Sequence, residues 1–469
     1  MTAQFWLTAP TPVHTLPQHA CKQADRLQGS SISFERRKLM RLALPVVIAG
    51  GCFAAVLTAT GAVAQDIKIG TIYDLTGPFA GGGSKPAFIG NKIAIDMINE
   101  KGGVEGHKIV AIDADAQSKV DVAINEAERL LNEAKVDLLM GVYSSAQCVP
   151  LAAKVDAAKK FLWMNVCVSS AVFKDKNLTY AFRPTIHSDQ YGEATCSFIA
   201  ENAKGKLGKD PKDVKVAIIH EDGPYGVGVG AASEERCKAL GIQVVHKEGY
   251  SATATDLTAL VTKLRRTQPD IIVHAGYNPD ITLFLRQAKE AGLKFSALIG
   301  EGAGYGQIDK LRETFKDDVN YIYNVDPVAG QLLDPKTLQP GVGEITAEMV
   351  KRYKTETGVG EVPPHASMGF NQAWIFLTDV LPRAIKKYGG WDAEALRKAA
   401  LDTDIPLGGT IQGYGVKFYP PGERMAGQNE RSTPVVMQYV DGHTKIAWPT
   451  AIRTVDPVLP LPKGHAYAR

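Results

Sequence analysis

Between residues 67 and 300 short apolar runs alternate with helical patterns, and this alternation constrains the chain more than any other feature. Predicted strands at 67–73, 108–113, 138–140 and 161–168 are separated by helical periodicity over 87–99, 120–133 and 150–159. The pattern then restarts. Helices at 190–203, 227–240, 256–267 and 279–291 alternate with strands at 214–220, 243–248, 270–275 and 297–300, before a short strand at 321–326. Strands joined by helices of this length form parallel sheets covered on both faces. The chain is therefore read as α/β, with two Rossmann-like lobes of similar size. Helices at 343–357, 367–388 and 392–401 follow. The last stretch is β-like, at 413–418, 435–441 and 445–448.

Two neighbouring strands end in hydroxyls, which points to a ligand site. Leu138-Leu139-Met140 runs through Gly141 to Ser144 and Ser145, and the 161–168 run ends at Val168, Ser169 and Ser170. A strand that delivers hydroxyls to a helix start aims unpaired backbone N–H groups at one spot, which suits a carboxylate. The structural alternative is two ordinary N-caps. In the second unit, Tyr225, Tyr277 and Glu301 each follow an apolar strand and are placed at the cleft mouth, where tyrosines pack on a ligand and a carboxylate holds an ammonium. Each taken singly reads as an exposed loop residue. Together they oppose an acid-binding side to a base-binding side, as a zwitterion requires. A cleft at the carboxyl ends of parallel strands is the expected location.

Enzyme motifs are weak. Gly226-Val-Gly-Val-Gly-Ala231 matches a dinucleotide fingerprint in letters, but Glu221-Asp-Gly-Pro-Tyr225 separates it from its strand, and two carboxylates would face the pyrophosphate. No G-x-S-x-G elbow and no metal-binding spacing occur, so neither catalysis nor a cofactor is expected. A net charge of +3 over 469 residues gives no footprint for nucleic acid.

The N-terminus reads as an export signal covering residues 1–64. Arg36, Arg37, Lys38 and Arg41 precede an apolar run over 42–59, and Ala62-Val63-Ala64 forms a small-x-small cleavage site before Gln65. The paired arginines also admit the twin-arginine route. An exported chain keeps disulfides. Cys148 and Cys167 lie just past the two serine-bearing strands and are expected to pair, whereas Cys196 and Cys237 are expected as buried free thiols.

With these stretches in view, the chain resembles the exported Leu/Ile/Val-binding proteins, the substrate-binding components of branched-chain amino acid ABC transporters. The resemblance is carried by Ile69-Gly-Thr-Ile-Tyr-Asp-Leu-Thr-Gly-Pro78, Ala94-Ile-Asp-Met-Ile-Asn-Glu-Lys-Gly-Gly-Val-Glu-Gly106, Val216-Ala-Ile-Ile-His-Glu-Asp-Gly-Pro-Tyr-Gly226 and Phe284-Leu-Arg-Gln-Ala-Lys-Glu-Ala-Gly-Leu293. It implies a type I periplasmic binding fold whose lobes, 65–186 with 327–405 and 187–326 with 406–450, are joined by a three-strand hinge and followed by a tail at 451–469. It implies a monomer in the periplasm that passes an amino acid or related carboxylate to a membrane permease. The resemblance places Ser144, Ser145 and Ser169 on the α-carboxylate, adds the Val168 carbonyl, lines the pocket with Tyr225 and Tyr277, and sets Glu301 against the ammonium. Three departures stand out: Ser169 replaces a threonine, Gly81-Gly-Gly83 replaces an aromatic and should enlarge the pocket, and Ala116 and Tyr143 stand where a disulfide is expected. The departures allow an aromatic acid as the ligand instead, and an exported sensor is the other alternative.

Overall fold

A computed structural model describes residues 65–469. The signal segment lies outside them. The first lobe is built on five parallel strands in the order β2-β1-β3-β4-β5: β1 (Ile67–Tyr73), β2 (Ile109–Asp115), β3 (Leu138–Gly141), β4 (Leu162–Met164) and β5 (Ala181–Phe182). Every residue of β1 except Lys68 is buried, as a parallel strand with covered faces demands. Helices α1 (Lys85–Asn99), α2 (Val120–Asn132) and α3 (Ser145–Ala157) connect these strands. Burial of Ala123, Ala127 and Leu130 at intervals of four and three gives α2 its single apolar stripe.

The second lobe follows, with α4 (Ser188–Asn202), β6 (Lys215–Glu221), α5 (Pro224–Ala239), β7 (Gln243–Tyr250), α6 (Thr258–Thr267), β8 (Ile271–Ala275), α7 (Asn278–Glu290), β9 (Ala297–Glu301), α8 (Ile308–Phe315) and β10 (Tyr323–Asp326). The chain returns to the first lobe for α9 (Val342–Thr357), α10 (Pro364–Ile375), α11 (Leu381–Tyr388) and α12 (Ala393–Leu401). Ala366 and Phe370 of α10 share a core with Ile93 and Met97 of α1 and with Trp163. Antiparallel β11 (Val435–Val440) and β12 (His443–Trp448) complete a seven-stranded sheet in the order β12-β11-β10-β9-β8-β6-β7.

The chain passes between lobes near residues 183–188, 326–330 and 428–435. The third pass pairs with both others: Arg183 bridges Gln428, and Asp326 lies opposite Val435. Arg183 is fully buried there. Its guanidinium donates to the Cys167 and Ser169 carbonyls at 2.9 Å and to Gln428 Oε1 at 2.6 Å, which ties the second serine loop to the crossing. With no carboxylate in contact, burial lowers its pKa to about 9. The C-terminal segment docks on the second lobe, where the Tyr467 ring stacks on Phe295 and its hydroxyl donates to the Leu285 carbonyl.

Several local expectations are corrected. The third helix starts at Ser145 rather than at Pro150, which lies inside it. The 161–168 run extends for only Leu162–Met164, because its continuation turns into the cleft. The 413–418 stretch makes isolated bridges, Ile405 with Val416 and Phe418 with Asn429, and packs on the first lobe's core. A π-turn at Phe376–Val380 breaks the long 367–388 helix, and Pro382 sits in the first turn of the helix that resumes. Cys148 and Cys167 are joined as expected. Cys196 and Cys237 are not free thiols: they are bonded too, at a Cα separation of 5.0 Å, because α4 packs along α5.

Candidate ligand-binding cleft

A small cavity of about 20 Å³ lies where the lobes meet. Tyr143, Ser145, Val166, Val168 and His365 line it from the first lobe, and Tyr191, Tyr225 and Tyr277 from the second. On the first-lobe side, the parallel pairing of β3 with β4, Gly141 opposite Met164, sets the two serine loops side by side. Ser144 occupies the N-cap position of α3, yet its hydroxyl makes no capping bond. That hydroxyl is buried beside Tyr277 without a well-aligned hydrogen bond, and Ser144 is not among the residues that line the cavity. Ser145 Oγ accepts from the Ser169 N–H at 3.2 Å. Ser169 Oγ caps the following short turn by accepting from the Ala171 N–H, and the Val168 carbonyl accepts from the Ser188 N–H at 2.8 Å. The serine loops are thus cross-linked, and of their hydroxyl-bearing residues Ser145 lines the cavity.

On the second-lobe side, the Tyr277 N–H donates to Asp280 Oδ1 at 2.8 Å, fixing the tyrosine at the head of α7. The Tyr225 hydroxyl donates to the Glu301 carbonyl. Burial pushes all four lining phenols above their ordinary range, so they stay neutral.

Glu301 is not among the lining residues. Its carboxylate points between α4 and α5, where Oε1 accepts from Thr195 Oγ1 at 2.8 Å and from Ser233 Oγ at 2.9 Å. Burial raises its pKa to about 8. The Gly81–Gly83 loop does not widen the cavity. It closes against the other lobe, with Lys310 Nζ donating to the Gly81 carbonyl at 2.6 Å and the Phe79 ring 4.2 Å from that of Tyr277. A Cβ on Gly83 would lie 2.1 Å from His365 Nδ1 and 2.5 Å from the Tyr143 hydroxyl, so glycine is required there by contact.

The glycines of the fingerprint-like run are helical, inside α5, and no tight turn precedes them. The Glu221 carboxylate caps that helix start, accepting from the Gly223 and Gly226 N–H groups at 2.7 and 2.6 Å. It fills the place a pyrophosphate would take. Among the described residues, no group of three His, Cys, Asp or Glu side chains is set to hold a metal, and no helix is long and apolar enough to cross a membrane.

Residue-level reading missed Tyr143, Val166, Tyr191 and His365. Tyr143 sits in the Gly-Val-Tyr-Ser-Ser loop itself, so its place was readable, whereas His365 lies 221 positions beyond Ser144 and only packing of α10 brings it in.

The Periplasmic binding protein family matches residues 66–428. This chain belongs to that family. The family is one of solute-binding proteins, not of enzymes. This binding protein is 32% identical over 400 residues to Leu/Ile/Val-binding protein homolog 7 of Brucella suis, covering 85% of the chain and 95% of the relative. Homolog 8 of the same organism is 31% identical over 410 residues, 87% and 97% of the two chains. Among solved structures, the leucine-binding protein LivK of Thermotoga maritima superposes with a TM-score of 0.67 at 21% identity, covering 81% of this chain and 97% of that one. The branched-chain amino acid transporter substrate-binding protein LivJ of Streptococcus pneumoniae, solved with isoleucine, gives 0.65 at 19% identity, covering 82% and 100%. This binding protein therefore has the type I periplasmic binding fold and falls with the Leu/Ile/Val-binding protein homologues of the periplasmic binding protein family.

Proposed function

We propose that the chain is an exported, periplasmic, monomeric receptor that closes on a branched-chain amino acid and presents it to an ABC transporter permease. The observation that carries the reading is the Ser144–Ser145 start of α3 beside a small cavity walled by Ser145, Val166, Val168 and tyrosine rings. A carboxylate at the Ser144–Ser145 start of α3 meets unpaired N–H groups and a hydroxyl, while the aliphatic side chain lies among apolar walls. Ser169 supports this end through Ser145. The names of the Brucella relatives and the isoleucine in the pneumococcal protein support the same ligand class. Closure follows because only the closed lobes offer both the serine loops and the tyrosines, so a ligand touching both shifts the population toward that state. A second reading, an aromatic acid, is favoured by the ring-rich wall of Tyr143, Tyr191, Tyr225 and Tyr277.

A thermal-shift screen of the purified protein separates the readings, since a ligand that binds only the folded state raises the melting temperature. A rise with leucine, isoleucine or valine is expected. A rise with aromatic acids alone replaces the first reading by the second, and no rise with either removes both.

A further inference from the structure

Arg183 is fully buried at the first passage between the lobes and lies outside the cavity lining. Three successive carbonyls of the second serine loop accept from that passage. Arg183 Nη1 donates to the Cys167 and Ser169 carbonyls, and the Ser188 N–H donates at 2.8 Å to the Val168 carbonyl between them. The Ser170 N–H returns a bond to Ser188 Oγ at 3.0 Å. At its other edge Arg183 Nε donates to Gln428 Oε1, and Gln428 Nε2 donates to the Thr185 carbonyl at 2.6 Å, so the side chain also joins the first passage to the third. The Phe173 ring centroid lies 5.0 Å from the guanidinium carbon.

A buried guanidinium with no carboxylate in contact and with Nη2 unpartnered is a costly way to fill a core. What the arginine adds is geometry. Residues 165–169 belong to no strand or helix, so no ladder sets the directions of their carbonyls. One planar group does, gripping residues 167 and 169 from a fixed position. Val168 between them lines the cavity. Cys167 is bonded to Cys148 in α3, the helix begun by Ser145, which also lines the cavity. The Ser169 N–H, donating to Ser145 Oγ, makes a second tie to the same residue.

We infer that Arg183 is a positioning residue for ligand binding: from the inter-lobe passage it sets the main chain at Cys167–Ser169, and with it the cavity wall that Val168 and Ser145 present. It touches no ligand. The inference rests on the cleft reading above, though not on which acid the cleft takes. The passage that carries Arg183 is one of three that flex when the lobes open, so the loop that meets the ligand and the hinge share one rigid group. An arginine that served folding alone would leave the affinity of the folded protein untouched, and the test turns on this difference.

The experiment is calorimetric titration of the full chain, Arg183→Lys and Arg183→Met with L-leucine and with phenylacetate, beside hydrogen exchange read by mass spectrometry. Lysine keeps the charge but not the planar fork, and methionine keeps the length but removes every donor. Both should weaken the ligand that wild type binds by about fivefold or more, methionine more than lysine. Amides of residues 165–172 should exchange faster in both, while those of β1 and β6 keep their wild-type protection. Arg183→Lys carries the test if Arg183→Met does not fold by circular dichroism. A smaller loss of affinity in either folded variant, or faster exchange spread evenly over the first lobe, would overturn the assignment. Wild type binding neither L-leucine nor phenylacetate would remove the cleft reading and this inference together. Wild type binding one of them, with folded variants that match it, removes this inference alone.

Discussion

Replacing Glu301 by glutamine tests the placement of that side chain directly. The folded protein buries the carboxyl completely, and burial moves its pKa from the ordinary 4.5 up to about 8 against the opposing hydrogen bonds from Thr195 and Ser233. Between those values the folded chain keeps a proton that the unfolded chain has lost. Stability from this group is therefore intact below about pH 4.5 and declines as pH rises, the loss being complete above about pH 8. At about 1.4 kcal/mol per pH unit the full displacement corresponds to about 5 kcal/mol, of which about 4 kcal/mol falls between pH 5 and pH 8. Glutamine keeps the shape and the Oε1 acceptor but has no charge to desolvate. Glu301→Gln should thus match wild type near pH 5 and exceed it increasingly toward pH 8. Urea unfolding of both proteins at half-unit intervals, with disulfides intact, reads the difference as a pH-dependent gap in midpoint. Asp280 and Asp74, raised by burial to about 7 and about 6, bend both curves equally and cancel in the difference. A gap of the same size at pH 5 and pH 8 would mean that Glu301 is ionised in the folded protein and that the buried placement is wrong.

Two further predictions concern the serine loop and the cysteines. Ser144→Ala should weaken the true ligand by about 1–3 kcal/mol in calorimetry while changing the melting temperature of the free protein little, since the hydroxyl caps nothing and makes no well-aligned hydrogen bond; unchanged affinity would move the carboxylate elsewhere. Peptide mapping without reductant should recover Cys148 linked to Cys167 and Cys196 linked to Cys237, with all four thiols labelled only after reduction. Recovery of free Cys196 and Cys237 would return those residues to buried thiols.

Much of the fold was legible because parallel strands buried on both faces are written as unbroken apolar runs. β1, β3, β6, β8 and β9 stand where those runs stand. The pairing of Cys148 with Cys167 followed from two strand ends lying side by side, a consequence of sheet order. The pairing of Cys196 with Cys237 did not, because both lie on helices and which faces of α4 and α5 meet is settled by packing. The Gly81–Gly83 loop misled for a related reason. Absence of side chains reads as open space in a sequence, but in the folded chain it let Phe79 approach Tyr277 and the loop close on His365.

By itself the sequence determined the strand–helix alternation and the two largely parallel sheets, and it set Ser145, Tyr225 and Tyr277 just past strand ends, since period and strand ends are local properties of the chain. Only the tertiary structure decided where a side chain at a strand end points. Glu301 turns inward because Thr195 and Ser233, 106 and 68 positions away, offer hydroxyls between the helices. Asp326 faces His365 because α10 returns to the first lobe and packs on α1 opposite β10. Hydrogen bonds between residues so far apart have no signature in local periodicity, and in this protein they hold the Glu301 carboxylate away from the cavity lining.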